Sequence, residues 1–273
     1  MDVLAPGISA APTFDAFAEH YDACTDHPLF EPWITGIEAL ARAHGLRGRR
    51  LLDAGCGTGK SLLPMLGLGY DACGCDASPA MLDRARAKLG DRARLVHADL
   101  TDLPVLGAFD LAFCLNDVAN YLTEPTALRA ALRGLAANLA PGGLLVMDTT
   151  TLAGFRSVFA STQRRAGDGR VCVWEGQASS ALADGDPAEL VIEVFAEEPD
   201  GRWRRSVTRH LQRHHPEPLV RDALADAGFE VLAVLGQQND GRRDPVADPA
   251  IHFKALHVAR LGVPDHREEV SPA

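Results

Sequence analysis

The sequence predicts an α/β fold: a mostly parallel, Rossmann-like sheet with helices on both faces and an inserted antiparallel β cap. Three observations carry this expectation. Strand-like and helical segments alternate between residues 50 and 148, the order that builds βαβ units. The first strand runs into a turn with glycines at alternate positions, Gly55-Cys56-Gly57-Thr58-Gly59. After Asp148 the pattern changes to consecutive strands joined by short turns, as in a meander.

Residues 1–12, with Pro6, Gly7 and Pro12, read as a lead-in. Residues 13–45 are predicted helical, because Phe14, Phe17, Tyr21, Trp33, Ile34, Ile37 and Leu40 recur at helical spacing. Strand 50–54, helix 59–67 and strand 70–75 follow, then a helix opened by Ser78-Pro79, a cap followed by proline in the first turn. Strands 93–97 and 109–115 precede a helix over 125–139, which the breaker Pro141-Gly142-Gly143 stops before strand 144–148. The meander comprises 170–177, 189–196 and 202–213, with turns at Asp184-Gly185-Asp186-Pro187 and Glu198-Pro199-Asp200-Gly201. Helix 216–227, strand 229–235, a polar loop over 237–248 and strand 251–260 complete the core. The chain thus divides into an N-terminal helical segment 1–45, a core 46–150, a cap 151–215, a core completion 216–262 and a frayed tail 263–273.

A length of 273 residues suits one large domain with an inserted cap, and 47% hydrophobic residues suffice for a full core. The net charge of −10 speaks against nucleic acid as a partner. With no apolar run of bilayer length and no signal-peptide pattern, a cytoplasmic protein without a membrane partner is expected. The six cysteines are scattered, and Cys56, Cys73, Cys75 and Cys114 fall on or beside core strands as small hydrophobes. Cys73-x-Cys75 has no second pair, so no metal is expected and a reduced setting is the default.

The glycine turn narrows the ligand. A dinucleotide site wants G-x-G-x-x-G, and a P-loop would match Gly59-Lys60-Ser61 but has Ala54 at its first glycine. In both, Asp53 would repel phosphates; a cationic ligand would be attracted. Leu51–Gly59, Gly74-Cys75-Asp76-Ala77-Ser78-Pro79-Ala80-Met81-Leu82, Val96-His97-Ala98-Asp99-Leu100 and Leu139-Ala140-Pro141-Gly142-Gly143-Leu144-Leu145 stand in order. With these motifs the chain resembles the class I S-adenosylmethionine-dependent methyltransferases, particularly those acting on small molecules. The likeness is strong over 45–150 and weak over 205–260.

The resemblance implies a seven-stranded sheet with the last strand antiparallel, S-adenosyl-L-methionine as cofactor and S-adenosyl-L-homocysteine as product. Backbone at Gly55, Cys56, Gly57 and Gly59 would approach the amino-acid end, with Asp53 acting on the ammonium. Asp76 would accept the ribose hydroxyls, Ala77 and Met81 would flank the adenine, and Asp99 and the Leu100 N–H would meet its edge, with Asp102 able to share that role. Leu115 and Asn116 would lie by the methionine part. Phe17-Ala18-Glu19-His20-Tyr21-Asp22 resembles a segment that folds over the cofactor, placing Tyr21 near the sulfonium.

For the acceptor, Asp117, Asn120 or Tyr121 would face the substrate, or Asn116 and Asp117 would simply form a turn and cap. Arg202, Arg204, Arg205, Arg209 and Arg213 mark either a solvated strand face or an anionic acceptor, and His210, His214 and His215 are clustered. His215, Tyr21 and Asp117 are the catalytic candidates. The expected function is methyl transfer to O or N of a small metabolite in a biosynthetic, natural-product type pathway, by a monomer or homodimer. The alternatives are a protein or RNA methyltransferase, or a cofactor-binding protein of this fold with other chemistry.

Overall fold

The computed structural model describes residues 9–179 and 181–263; the expected tail from 264 onward and most of the lead-in lie outside them. The elements are α1 (Ala11–Thr25), α2 (Phe30–Ala43), β1 (Arg50–Ala54), α3 (Leu62–Gly67), β2 (Asp71–Asp76), α4 (Pro79–Leu89), β3 (Arg94–His97), β4 (Phe109–Cys114), α5 (Val118–Tyr121) and α6 (Pro125–Ala137). They continue as β5 (Leu139–Thr150), α7 (Leu152–Phe159), β6 (Thr162–Gly167), β7 (Arg170–Gly176), β8 (Pro187–Glu197), β9 (Trp203–Arg213), α8 (Glu217–Asp226), β10 (Phe229–Gln237), β11 (Arg243–Asp244) and β12 (Lys254–Leu261). The main sheet has the order β11-β10-β12-β5-β4-β1-β2-β3. Only β12 runs against its neighbours β5 and β10 within the long strands, as the resemblance implies, and the short β11 adds an eighth strand inside the expected polar loop.

Neighbouring residues of one strand serve opposite faces. Leu52, Ala112 and Leu145 pack with Leu128, Leu132, Val220 and Leu224 of α6 and α8. Leu51, Leu111 and Val146 pack with Ile34, Ile37, Met65 and Leu82 of α2, α3 and α4. This two-sided burial explains the unbroken apolar strands. At α4 the Ser78 side chain accepts from the Met81 N–H at 3.1 Å, the cap that Ser78-Pro79 predicts. Pro141-Gly142-Gly143 departs from expectation. It sits inside β5, where pairing jumps from Phe109↔Leu139 to Leu111↔Leu144. Gly142, at φ +79, absorbs the extra residues as a bulge, so the breaker distorts the ladder rather than ending it.

The cap is the antiparallel sheet β6-β7-β8-β9; β6, with all its residues exposed, carries no apolar pattern that announces it. Phe17 and Cys24 of α1, Phe155 and Phe159 of α7, and Cys172 and Ile192 of the cap share a third core. At its edge Cys24 and Cys172 form a disulfide, whereas Cys56, Cys73, Cys75 and Cys114 are buried free thiols. The bond joins α1 to β7 and stands against a uniformly reduced set of cysteines. Among the described residues no helix is long and apolar enough to cross a membrane.

Thiol titration of the unreduced, denatured protein is expected to find four reactive cysteines. Cys172→Ser should lower the unfolding free energy by about 2–4 kcal/mol; six reactive thiols and an unchanged stability would contradict the pairing.

Candidate active site

The strand order reverses between β1 and β4, and there a cavity of about 510 Å³ opens, at the switch point where open α/β sheets bind ligands. The glycine turn forms one wall. Gly55, Gly57 and Gly59 have φ of +75, +53 and +76, conformations that L side chains avoid. At Gly57 a Cβ would meet nothing within 4 Å, whereas at Gly55 it would run into Val118 Cγ2 at 2.6 Å. Gly57 is therefore open to a ligand and Gly55 is closed by packing.

The donors of this turn face inward. Gly55 and Cys56 give their N–H groups to the Cys75 carbonyl at 2.8 and 3.0 Å, and Gly57 N–H donates to Asp76 Oδ2 at 2.8 Å. The α3 helix starts only at Leu62. With the N–H groups of Gly55, Cys56 and Gly57 engaged by β2 and that of Gly59 by the Cys56 carbonyl, the turn is a poor phosphate cradle. Beneath it Asp53 is buried and accepts from the Ser61 hydroxyl. Burial, opposed by that bond, pushes the Asp53 carboxyl up to about 7, so a cation arriving here would draw off its proton.

Asp76 ends β2 and accepts from Gly57 and Ser78 N–H, each at 2.8 Å. Burial raises its pKa, and those two donors oppose the rise. Each oxygen keeps a further lone pair toward the cavity. Ala77, Met81, Asp99 and Leu100 line the same wall. Asp99 Oδ1 caps the next turn by accepting from Thr101 N–H and Oγ1 at 2.9 and 2.7 Å. Leu115 and Asn116 complete this half. Of the cofactor residues read from sequence, only Gly59 lies behind the lining, where a Cβ would strike Leu89.

The turn after β4 rests on buried charges. Asn116 and Asp117 have φ of +61 and +65, two successive left-handed residues that only surrounding structure can hold. Asp148, at the end of β5, accepts from their N–H groups at 3.0 and 2.8 Å. Lys254 from β12 lies 3.1 Å from Asp148 and 2.8 Å from Asp117. Burial raises Asp148 while Lys254 opposes it; burial would lower Lys254, but the two carboxylates hold it above its ordinary value.

Helix α1 closes the site. Asp15 accepts from Ser78 Oγ at 2.5 Å, and Asp22 accepts from Thr58 Oγ1 at 2.5 Å and pairs with Lys88 at 2.7 Å. Tyr21 lines the cavity, and burial followed by the Asp76 charge raises its hydroxyl pKa.

Strand alternation sorts β9. Arg205 and Arg209 face outward and pair with Glu193 and Glu189, while Thr208, His210 and Gln212 are buried inward. His210 and Gln212 line the cavity; His215 does not. His215 Nε2 instead sits 3.1 Å from the Ala119 and Leu122 carbonyls, bracing α5, so the base anticipated at 215 is outside the large cavity. His210 Nδ1 lies 3.0 Å from Tyr121 Oη and its Nε2 3.0 Å from Thr208 Oγ1. Burial brings both histidines down to about 4, so both are neutral near pH 7. The period-two pattern Thr208-x-His210-x-Gln212 was the signal for this inward stripe.

The comparisons agree with this geometry. Residues 51–143 match the methyltransferase domain family model. A putative methyltransferase of Geobacillus sp. (strain WCH70) is 25% identical over 84% of this chain and 93% of its own length. A dTDP-3-amino-3,4,6-trideoxy-alpha-D-glucopyranose N,N-dimethyltransferase of Streptomyces venezuelae is 28% identical over 75% of this chain and 83% of its own. The structure of a sugar N-methyltransferase from Streptoalloteichus sp. ATCC 53650 superposes with a TM-score of 0.69 at 25% identity, covering 96% of this chain and 98% of that one. Residues 51–143 are thus a methyltransferase domain, in a chain with the Rossmann-like fold of S-adenosylmethionine-dependent methyltransferases. Its residues fit the cofactor: an acceptor-rich, anionic wall of Asp53, Asp76 and Asp99 around an open glycine suits a ligand bearing ammonium, sulfonium and hydroxyl groups.

If Asp53 meets the ammonium as its carboxylate, binding must release its proton. Affinity for S-adenosylhomocysteine is expected to rise about tenfold per pH unit below about 7 and level off above it. Calorimetry in two buffers at pH 6 should show about one proton released, and Asp53→Asn should abolish both effects. A pH-independent affinity in the native protein would refute the contact.

Proposed function

We propose that this methyltransferase acts on O or N of a small molecule in a biosynthetic pathway. The observation that carries the reading is enclosure. The cavity continues past the cofactor wall into a second half bounded by Phe14, Tyr121, Phe159, Trp174, Ile192 and His210, roofed by the cap and closed by α1. A compact acceptor fits there more readily than a folded RNA or protein surface. Relatives named for sugar N-methylation support small-molecule transfer.

The cofactor supplies an electrophilic methyl group whose departure leaves a neutral thioether. The protein's contribution is alignment and exclusion of water. Asp53 and Asp76 anchor the two ends of the cofactor, the Asn116-Asp117 turn separates it from the acceptor, and Tyr21 on α1 closes the middle. Within hydrogen-bonding reach of an acceptor hydroxyl or amine the second half offers Tyr121, a stronger placement for proton handling than His215.

The test is methyl transfer from labelled cofactor into a cell extract separated into metabolite, RNA and protein fractions, with S-adenosylhomocysteine binding measured beside it. Label is expected in the metabolite fraction. Label confined to RNA or protein would overturn the substrate class, and absence of cofactor binding would overturn the activity.

A further inference from the structure

The acceptor half of the cavity is largely aromatic, and within its ring cluster the polar groups are the Tyr121 hydroxyl, His210 and Gln212. Phe14 packs edge-on against Tyr121 and His210, with ring centroids 4.9 and 5.4 Å apart, and Phe17 lies 5.6 Å from His210. Into this apolar surround the Tyr121 hydroxyl projects, bonded to His210 Nδ1 at 3.0 Å, with Thr208 Oγ1 3.0 Å from His210 Nε2. A neutral imidazole has one donor and one acceptor nitrogen. When Nε2–H donates to Thr208, Nδ1 accepts the Tyr121 proton; the Gln212 side chain donates to Tyr121 Oη, and of the two lone pairs of that oxygen one remains for a donor in the cavity.

The charges lining the cavity point the same way. Among the described lining residues the acids Asp117 and Glu124 border the acceptor half, and the single cation, Lys60, sits by Phe30 and Thr25 on the cofactor side. The β9 arginines Arg205 and Arg209 point outward to Glu193 and Glu189, and Arg213 donates to the Thr123 and Gly185 carbonyls. The cations nearest this half are already committed, Lys254 to Asp117 and Arg213 to Glu124 and two carbonyls, so a diphosphate, which needs cationic partners, would have to break those pairs.

We propose that the acceptor is an uncharged, ring-bearing hydroxyl compound that docks its O–H on Tyr121, and that Tyr121 relays the proton to His210. This rests on the methyltransferase reading above. As the acceptor oxygen gains the methyl carbon, the S–C electron pair stays on sulfur. The acceptor proton goes to Tyr121 Oη and the Tyr121 proton to His210 Nδ1. One positive charge is present before and after: it leaves the sulfonium and appears on the imidazole, so no new charge is created in the buried site. The titratable groups that act on Tyr121 are Asp117 of the β4 turn and Tyr21 of α1; on His210 itself burial is the one influence, and its own strand turns Arg209 away to Glu189.

The test uses the full chain saturated with S-adenosylhomocysteine, with 2-naphthol as the neutral probe and thymidine diphosphate as the anionic one. Fluorescence titration is expected to show 2-naphthol binding, weakened roughly threefold to tenfold in Tyr121→Phe, the loss of one neutral hydrogen bond. Thymidine diphosphate should not displace it. His210→Gln keeps an acceptor for Tyr121 but cannot hold the proton. It should bind neutral 2-naphthol as the native protein does, while the bound probe ionises only at higher pH. Unchanged binding in Tyr121→Phe, displacement by thymidine diphosphate, or identical ionisation in His210→Gln would overturn the proposal with cofactor binding intact. Failure of S-adenosylhomocysteine itself to bind would overturn the methyltransferase reading instead.

Discussion

The site depends on one buried charge group. Asp148 and Lys254, 1% and 8% exposed, come from β5 and β12, adjacent antiparallel strands in the middle of the sheet. Asp148 alone binds both N–H groups of the left-handed pair Asn116-Asp117, and Lys254 offsets the charge of Asp148 and Asp117. A carboxylate without that lysine would be an uncompensated buried charge, a strongly destabilising arrangement. With it, the chain after β4 is held in a turn that brings Asn116 and Asp117 to the cavity and leads directly into α5 and Tyr121.

The second constraint is closure from above. Helix α1 is tied to the core by Asp15 and Asp22 and to the cap by the Cys24–Cys172 bond. It carries Phe14, Phe17 and Tyr21 into the cavity. The same helix packs around His210 and, together with Asn120 of α5, which accepts from Thr150 N–H and donates to the Arg213 carbonyl, links the two sheets.

Local chemistry was legible in the sequence; long-range partnership was not. The glycine turn, Asp53, Asp76 and Asp99 are dictated by residue type at strand ends, and all but Gly59 of the residues assigned with them line one cavity. Strand alternation separates Arg205 and Arg209 of β9 from Thr208, His210 and Gln212, whereas Arg204, on the inward parity near the strand's exposed start, pairs with Glu19 and Glu198. By contrast, the Asp148–Lys254 contact spans 106 residues and the disulfide 148, distances at which no periodicity or spacing marks a pair. His215 drew notice because it follows His214 and precedes a helix, but its nitrogen braces α5 from behind. Chain proximity grouped the three histidines; the pleat of β9 and the bend after it divided them.

The most direct test of this account is the S-adenosylhomocysteine affinity of Asp148→Asn, measured by calorimetry on protein whose folding is verified by circular dichroism. The amide puts an NH2 donor where one of the two accepting oxygens stood, leaving one N–H group facing a donor, so the turn should loosen. The expected result is an affinity lower by about tenfold to a hundredfold, the loss of a charge-assisted hydrogen bond. An unchanged affinity in the folded variant would contradict the claim that this charge group builds the site.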